Sequence, residues 1–147
     1  ELMRGFFHGV GYAIWIAKEI FVAGFDAVAK AFNPATKFDP IVIYYPLRIN
    51  TDWDVFWFST SITATPGTLS MGLRHPVSDN GPLTLLVQAA FGSDPEEVIA
   101  GLVDMEEHLR PSLSNSPIDP KTVAWEPYVD HGPDHHGDHV PPAERMV

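Results

Sequence analysis

Residues 4–32, RGFFHGVGYAIWIAKEIFVAGFDAVAKAF, constrain the fold of this chain more than any other stretch. Wound as a helix at about 100° per residue, they gather their polar side chains into one strip of roughly 120°. The rest of the circumference is apolar or small, an arc wider than a surface helix of a small soluble domain normally has. The strip contains Arg4, His8, Tyr12, Lys18, Glu19, Asp26 and Lys30.

Two settings suit such a helix. Charged residues at membrane depth normally face protein or a wet cavity, so the strip could lie against partner subunits of a membrane complex. The helix could instead lie in the plane of the membrane interface. Lys18 and Glu19 interrupt the stretch before eighteen uncharged residues accumulate, and a buried core helix of a soluble protein is the third alternative. The Asn33-Pro34 pair predicts the end of the helix.

Residues 38–110 predict a compact unit in the order β-α-β-β-α. We expect helices on one face of a three-stranded mixed sheet, with Leu69, Met71 and Leu73 on one face of the second strand. The first and second strands are joined through a helix, so they could pair in parallel. The predicted elements are strand 41–48, a helix from Thr51-Asp52 to about Ala64, strands 68–74 and 83–89, and a helix that begins near Ser93-Asp94-Pro95.

Residues 111–147 hold seven of the fourteen prolines and little hydrophobic periodicity, which is typical of an extended or disordered tail. Imidazoles bind zinc, nickel or copper, but a tail rich in Gly and Pro does not fix their geometry. We therefore expect a solvated tail with weak metal affinity. Its candidate ligands are His131, His135, His136 and His139.

The fold class is thus α+β: an N-terminal amphipathic or transmembrane helix, a two-layer β-α-β-β-α sandwich and a disordered C-terminal tail. The predicted division is a membrane helix over 1–34, an α/β domain over 35–110 and the tail over 111–147. The chain starts at Glu1, from which we expect that it begins partway into a longer product.

The carboxylates of the last helix predict a solvated face, and Asp52 and Asp54 predict capping and dipole contacts. They provide no acid–base pair, and the sequence contains no nucleophile elbow, phosphate loop or HExxH motif. We expect neither enzymatic activity nor a cofactor. The net charge of −10 argues against a nucleic-acid partner. The helix-face carboxylates are Glu96, Glu97, Asp104, Glu106 and Glu107.

The stretch Ile62-Thr63-Ala64-Thr65-Pro66-Gly67-Thr68 joins the second helix to the hairpin. Pro66 cannot continue the helix, Gly67 can adopt positive φ, and the threonine hydroxyls can satisfy backbone groups freed at the helix end. A sodium site of threonine oxygens is a weaker alternative.

This stretch, placed between a Trp-containing apolar helix (Trp15 to Glu19) and an acidic closing helix, resembles the MnhE/MrpE family, the E-type components of the multisubunit Na⁺/H⁺ antiporters of bacteria (Mrp/Mnh type). The resemblance covers about residues 10–110. Ala64 stands where the family usually has Leu, and the His-rich tail lies outside the family pattern.

The resemblance implies an accessory membrane subunit of a Na⁺/H⁺ antiporter that supports assembly and activity, with its α/β domain on the cytoplasmic side of the plasma membrane. The implied partners are other antiporter subunits and membrane lipid. Thr65, Pro66, Gly67 and Thr68 form the family motif, and His8, Tyr12, Lys18, Glu19 and Asp26 form the strip for subunit contact. The alternatives are a soluble or membrane-anchored ligand-binding or regulatory α/β module and a metal-buffering protein that acts through its tail.

Overall fold

The chain opens with one long helix, α1 (Leu2–Phe32), which confirms the helix predicted over 4–32. The structure, a computed structural model, describes residues 2–33, 35, 37–76 and 81–129, with side chains from residue 7 onward. Charged side chains recur along α1, and none of the helices within those residues is both long enough and apolar enough to span a membrane.

Five further elements follow in the predicted order. They are β1 (Ile41–Pro46), α2 (Asp52–Ala64), β2 (Thr68–Arg74), β3 (Thr84–Ala89) and α3 (Pro95–Leu109). Thr51 caps α2, its hydroxyl accepting from the backbone N–H of Asp54 at 3.2 Å. Asp94 caps α3 in the same way, accepting from Glu97 N–H at 3.1 Å, and Pro95 is the first helical residue. Both helix starts agree with the sequence signals.

The sheet has the strand order β2-β3-β1-β4, and all of its pairings are antiparallel. The expectation of a mixed sheet with β1 and β2 paired in parallel was wrong, because β3 lies between them. β1 and β2 still run in the same direction, since each is antiparallel to β3. The hairpin of β2 and β3 is confirmed, and β1 ends at Pro46, which has no N–H to continue the ladder.

β2 contains a bulge that the sequence did not reveal. The register shifts between Ser70 and Gly72, which leaves Met71 as an extra residue. Leu69 lies opposite Gln88 and Leu73 lies opposite Leu85, positions of β3 that face opposite sides. Leu69, Met71 and Leu73 therefore do not share one face, as strict alternation had predicted.

The segment after Leu109 is ordered as far as the structure describes it, so the prediction of a tail from residue 111 was wrong for residues 111–129. It forms two short 3-10 helices, Pro111–Asn115 and Pro120–Thr122, and the strand β4 (Ala124–Pro127). β4 pairs with β1, and Val123 is buried beside it. A four-residue strand is too short to show a period in the sequence. The candidate metal-binding histidines lie outside the described residues.

The core joins alternate residues of β1 and β3 to both helices of the α/β unit. Ile43 and Tyr45 of β1 meet Phe58 of α2 and Ile99 of α3, and all four side chains are fully buried. This core leaves the opposite face of α2, with its aromatic residues, outside.

Candidate functional site

The polar strip of α1 faces the α/β unit of the same chain. Nε2 of His8 donates to the carbonyl oxygen of Leu109 at 3.1 Å, at the C-terminal end of α3. A hydrogen bond of 2.9 Å joins the hydroxyls of Tyr12 and Ser61. One turn further along α1, the ring of Trp15 stacks on that of His108, with centroids 4.0 Å apart and planes 10° apart.

The other predicted strip residues are engaged within α1 itself. Lys18 lies 3.6 Å from the carboxylate of Glu19, and Lys30 lies 2.7 Å from that of Asp26. Pairs as exposed as these contribute little to stability. The structure thus brings His8 and Tyr12 to the body of the protein, while Lys18, Glu19 and Asp26 form surface pairs. Subunit contact through the strip stays a prediction.

The apolar side of α1 faces away from the α/β unit. Large side chains along its whole length are exposed, and the exposed fraction reaches 85% for Phe32. Contiguous apolar surface of this kind marks a protein–protein or membrane contact. The helix is therefore amphipathic in the inverse sense, polar toward its own domain and apolar outward. The exposed residues are Phe7, Val10, Ile14, Phe21, Val22, Phe25, Val28 and Phe32.

A groove of about 520 Å³ runs between α1 and α2. Small residues of α1, Gly9 and Ala13, and Ala64 of α2 line it together with Ile16 and Trp57. We call it the α1–α2 groove. Its lining is almost entirely apolar, which suits an apolar ligand or side chain.

The groove is continued along α2 by an exposed aromatic cluster, formed by Trp53, Phe56 and Trp57. The ring centroids of these three residues lie 5.4 to 5.9 Å apart. Trp53 is 67% exposed although it belongs to the largest side chains of the domain. The spacing of these aromatics predicted a shared face, and the structure shows that this face is turned outward.

The Thr-Pro-Gly-Thr turn closes α2 with a compact set of hydrogen bonds. The hydroxyls of Thr65 and Thr68 lie 2.6 Å apart, and each lies 2.7 Å from the carbonyl oxygen of Ile62. These three contacts share two protons, so each hydroxyl donates to either Ile62 or its neighbour. Thr63 accepts from the backbone N–H of Ser70 at 3.2 Å. The predicted role of the hydroxyls in satisfying the backbone is confirmed.

Gly67 reverses the chain with φ +91°, which favours glycine. Its carbonyl oxygen accepts from Ala90 N–H at 2.8 Å, which ties the turn to the end of β3. α1 passes the same turn, because a Cβ placed on Gly24 would lie 3.9 Å from Pro66. The turn is thus the point at which α1, α2 and the sheet meet. Its contact with a partner subunit stays a prediction.

A buried ionic cluster, formed by Tyr45, Arg48 and Glu106, was not predicted. Glu106 is fully buried, which corrects its assignment to a solvated face. Its Oε2 accepts from Nε of Arg48 at 2.7 Å and from the hydroxyl of Tyr45 at 2.9 Å, and Oε1 accepts from the backbone N–H of Arg48. The helical period of α3 placed position 106 beside its apolar stripe, and this was the available signal.

The pKa values in this cluster follow from burial and from the carboxylate. Burial raises the pKa of Tyr45, and the negative charge of Glu106 raises it further. For Arg48, burial acts to lower the pKa, but hydrogen bonds to Glu106 and Glu107 outweigh it and the pKa is raised. The cluster is therefore a charged, closed fastening between β1 and α3.

A second ion pair joins the start of α2 to the end of α3. Asp54 is buried, and both of its carboxylate oxygens accept from the guanidinium of Arg110 at 2.9 Å. A bidentate pair of this geometry is directional. Asp54 thus does more than the predicted work of a first-turn acid, since it holds two helices together.

Comparison with known proteins agrees with the resemblance drawn from the turn. The family model described as Na⁺/H⁺ ion antiporter subunit, MnhE, matches residues 1–111. The chain belongs to the MnhE family. It is similar to the E-type Na⁺/H⁺ antiporter protein of Alkalihalophilus pseudofirmus, with 33% identity over 37% of this chain and 34% of that protein. It is also similar to the E1-type Na⁺/H⁺ antiporter protein of Staphylococcus aureus, with 28% identity over 63% of this chain and 55% of that protein.

The chain therefore spans about a third to a half of the curated MnhE-type relatives it matches. Among solved structures, it is similar to a chain of the Mrp complex from Dietzia sp. DQ12-45-1b. The TM-score is 0.55 and the identity is 27%, over 71% of this chain and 94% of that one.

Proposed function

We propose that this MnhE-family chain is an accessory subunit of a multisubunit Na⁺/H⁺ antiporter in the bacterial plasma membrane. In this role it supports assembly and activity and does not itself carry the ion pathway. The observation that carries the proposal is the inverse amphipathicity of α1, whose polar strip is used inside the chain while its apolar side is exposed. Such a helix needs lipid or other subunits to cover it.

The state of the acidic residues on α1 supports an accessory role. Glu19 and Asp26 are the described carboxylates of that helix, and each lies beside a lysine on the same helix. A carboxylate that binds and releases ions in a membrane normally faces a protein interior or a wet cavity. We infer that these two residues stabilise the surface of α1 and that other subunits transport the cation.

We further propose that the α/β unit lies on the cytoplasmic side. Lys30 and Lys37 are at or just beyond the end of α1, in agreement with the excess of positive charge near cytoplasmic ends of membrane segments. Arg48, which the sequence would add to this count, is bound to Glu106 and does not contribute to it.

Deletion of the coding sequence from the host bacterium tests the proposal. We expect loss of growth at high sodium, reduced Na⁺-dependent proton efflux in everted membrane vesicles, and a smaller antiporter complex on a native gel. Complementation with the full chain should restore all three. Unchanged antiport together with an intact complex in the deletion strain would refute the accessory role.

The second candidate is a membrane-anchored or soluble ligand-binding module. The α1–α2 groove favours it, because about 520 Å³ is within the range of small-molecule sites. This candidate predicts that the purified chain remains monomeric in water without detergent and shows saturable binding of an apolar dye such as ANS. The antiporter role predicts self-association in water that detergent reverses.

A further inference from the structure

The α1–α2 groove is bounded by two helices of this chain and is open along its outer side. We propose that it is the docking site of an apolar α-helix from a neighbouring antiporter subunit. This inference rests on the function proposed above and names the surface through which subunit contact occurs. A groove between two helices that accepts a third is a common mode of helix recognition.

The first argument is the free space at Gly9. A Cβ added there would meet nothing within 4 Å, so packing inside the chain does not require glycine. A glycine in a helix interior costs about 1 kcal/mol relative to alanine. Small residues at an interface allow a second helix to approach closely, and Ala13 and Ala64 extend the small-residue floor of the groove.

The second argument is continuity. Val10 belongs to both the groove lining and the outward apolar side of α1, and Trp57 belongs to both the lining and the aromatic cluster. A helix seated in the groove would cover Val10 and Trp57 together and would extend onto Trp53. The groove is thus the deepest part of the surface that the proposed function assigns to partner contact.

The third argument is charge. The lining residues carry no charged group apart from the imidazole of His8, so the middle of the partner helix must be apolar. Two exposed carboxylates border this surface. Asp52 precedes Trp53 on α2, and Asp104 lines the adjoining cleft, which shares His8 and Tyr12 with the groove. These charges favour a helix with basic flanks and disfavour an anionic lipid surface.

A pair of glycine substitutions tests the assignment in the intact complex. Gly9→Leu fills the groove, whereas Gly11→Leu adds the same side chain in equally free space at the adjoining cleft. Leucine is the better helix former, so both variants should retain the fold, which the melting temperature checks. Tagged variants are produced in cells whose own copy is deleted, and the large antiporter subunits recovered with them are measured.

We expect Gly9→Leu to lower the recovery of the large subunits at least tenfold and Gly11→Leu to leave it within twofold of the wild type. Full recovery with Gly9→Leu would overturn the proposal. Equal loss with both variants would also overturn it, because the contact would then not be specific to the groove.

Photo-crosslinking identifies the occupant. Benzoylphenylalanine in place of Ala13, within the groove, should crosslink to an apolar helix of another subunit, identified by mass spectrometry. The same probe in place of Ala100, exposed on α3, should not. Crosslinks to lipid alone, to a second copy of this chain or to nothing would overturn the assignment. The wild-type chain separates the two hypotheses. If it recovers no antiporter subunits, the proposed function fails, and if it does while both groove tests fail, only the docking site fails.

Discussion

Nε of Arg48 donates a 2.7 Å hydrogen bond to Oε2 of Glu106, across the junction between the end of β1 and α3. The Arg48 backbone N–H donates to the other carboxylate oxygen at 2.8 Å, so a single carboxylate holds both the side chain and the main chain of that residue. Arg48 in turn donates to Glu107 and to the carbonyl oxygen of Ser116. The pair therefore fixes the sheet, α3 and the first 3-10 helix relative to one another.

Removal of the Glu106 carboxylate should strongly destabilise the fold. In Glu106→Ala, Arg48 would keep its charge in a largely buried position with its main partner gone, which costs about 3–5 kcal/mol. Glu106→Gln retains an acceptor and should cost roughly 2 kcal/mol. Urea unfolding in detergent measures both. The control is Glu96→Gln, an exposed first-turn residue of α3, which should change the free energy of unfolding by about 0.5 kcal/mol or less. An equal effect of all three changes would contradict the assigned role.

Tyr45 should make the fold sensitive to alkaline pH. Its pKa is raised in the folded state, so its contribution is fully present below the unfolded pKa of about 10 and is lost as the pH rises above it. Above that pH the unfolded chain ionises while folded Tyr45 stays protonated, which lowers stability by about 1.4 kcal/mol per pH unit. Subtracting the stability of Tyr45→Phe at each pH isolates this effect from the lysines. A difference that stays constant between pH 9 and 11 would rule it out.

The sequence predicted most elements of the fold because their signals are local. Thr51 and Asp94 mark helix starts, and Pro66 and Gly67 mark the reversal between α2 and β2. The arrangement of the strands depends instead on which strand pairs with β1, and no local signal carries that information. β4 was missed for a related reason, since four residues become a strand only through pairing with β1.

The bidentate pair of Asp54 and Arg110 should contribute to the docking of α2 on α3. Asp54→Asn keeps one acceptor oxygen but removes the charge, and half of the Arg110 side chain is exposed, so screening reduces the cost to about 1 kcal/mol. Asp52→Asn is the matched control, because Asp52 lies in the same first turn but is exposed. It should cost about 0.3–0.5 kcal/mol through the helix dipole alone. Thermal unfolding compares the two, and a larger loss for Asp52→Asn would contradict this role.

Two glycine-to-alanine changes should have opposite signs. Gly67→Ala places a Cβ at φ +91°, 3.3 Å from the ring of Phe91, and should cost about 1–2 kcal/mol. Gly101→Ala lies inside α3 with nothing within 4 Å of the new Cβ and should stabilise by up to about 1 kcal/mol. Melting temperatures of the two variants against the wild type check both signs. A neutral Gly67→Ala would mean that the turn relaxes without strain.

Tyr12 and Ser61 should show an energetic coupling of about 0.5–1.5 kcal/mol, typical of one hydrogen bond. The double-mutant cycle uses Tyr12→Phe, Ser61→Ala and the double variant. Hydrogen exchange should localise the effect to the amides of α1, because this bond is one of the contacts by which α1 docks. Additive effects would show that the bond does not contribute to docking.

The candidate site was harder to predict than the fold. The polar strip of α1 was visible in the sequence, but its partner was not, because Ser61 and Leu109 are distant along the chain. The helical wheel also cannot distinguish a polar strip that faces another subunit from one that faces the same chain. Glu106 and Asp54 were read as surface acids because their arginine partners are distant in sequence.

The bulge at Met71 has a consequence for aggregation. β2 is an outer strand of the described sheet, and a regular outer strand offers backbone groups on which a strand of another molecule can add. The extra residue breaks the repeat of these groups near the middle of β2, between Ser70 and Gly72. Chains crowded side by side at high expression would therefore find only short runs of matching backbone there. The irregularity in β2 protects the sheet against edge-to-edge polymerisation.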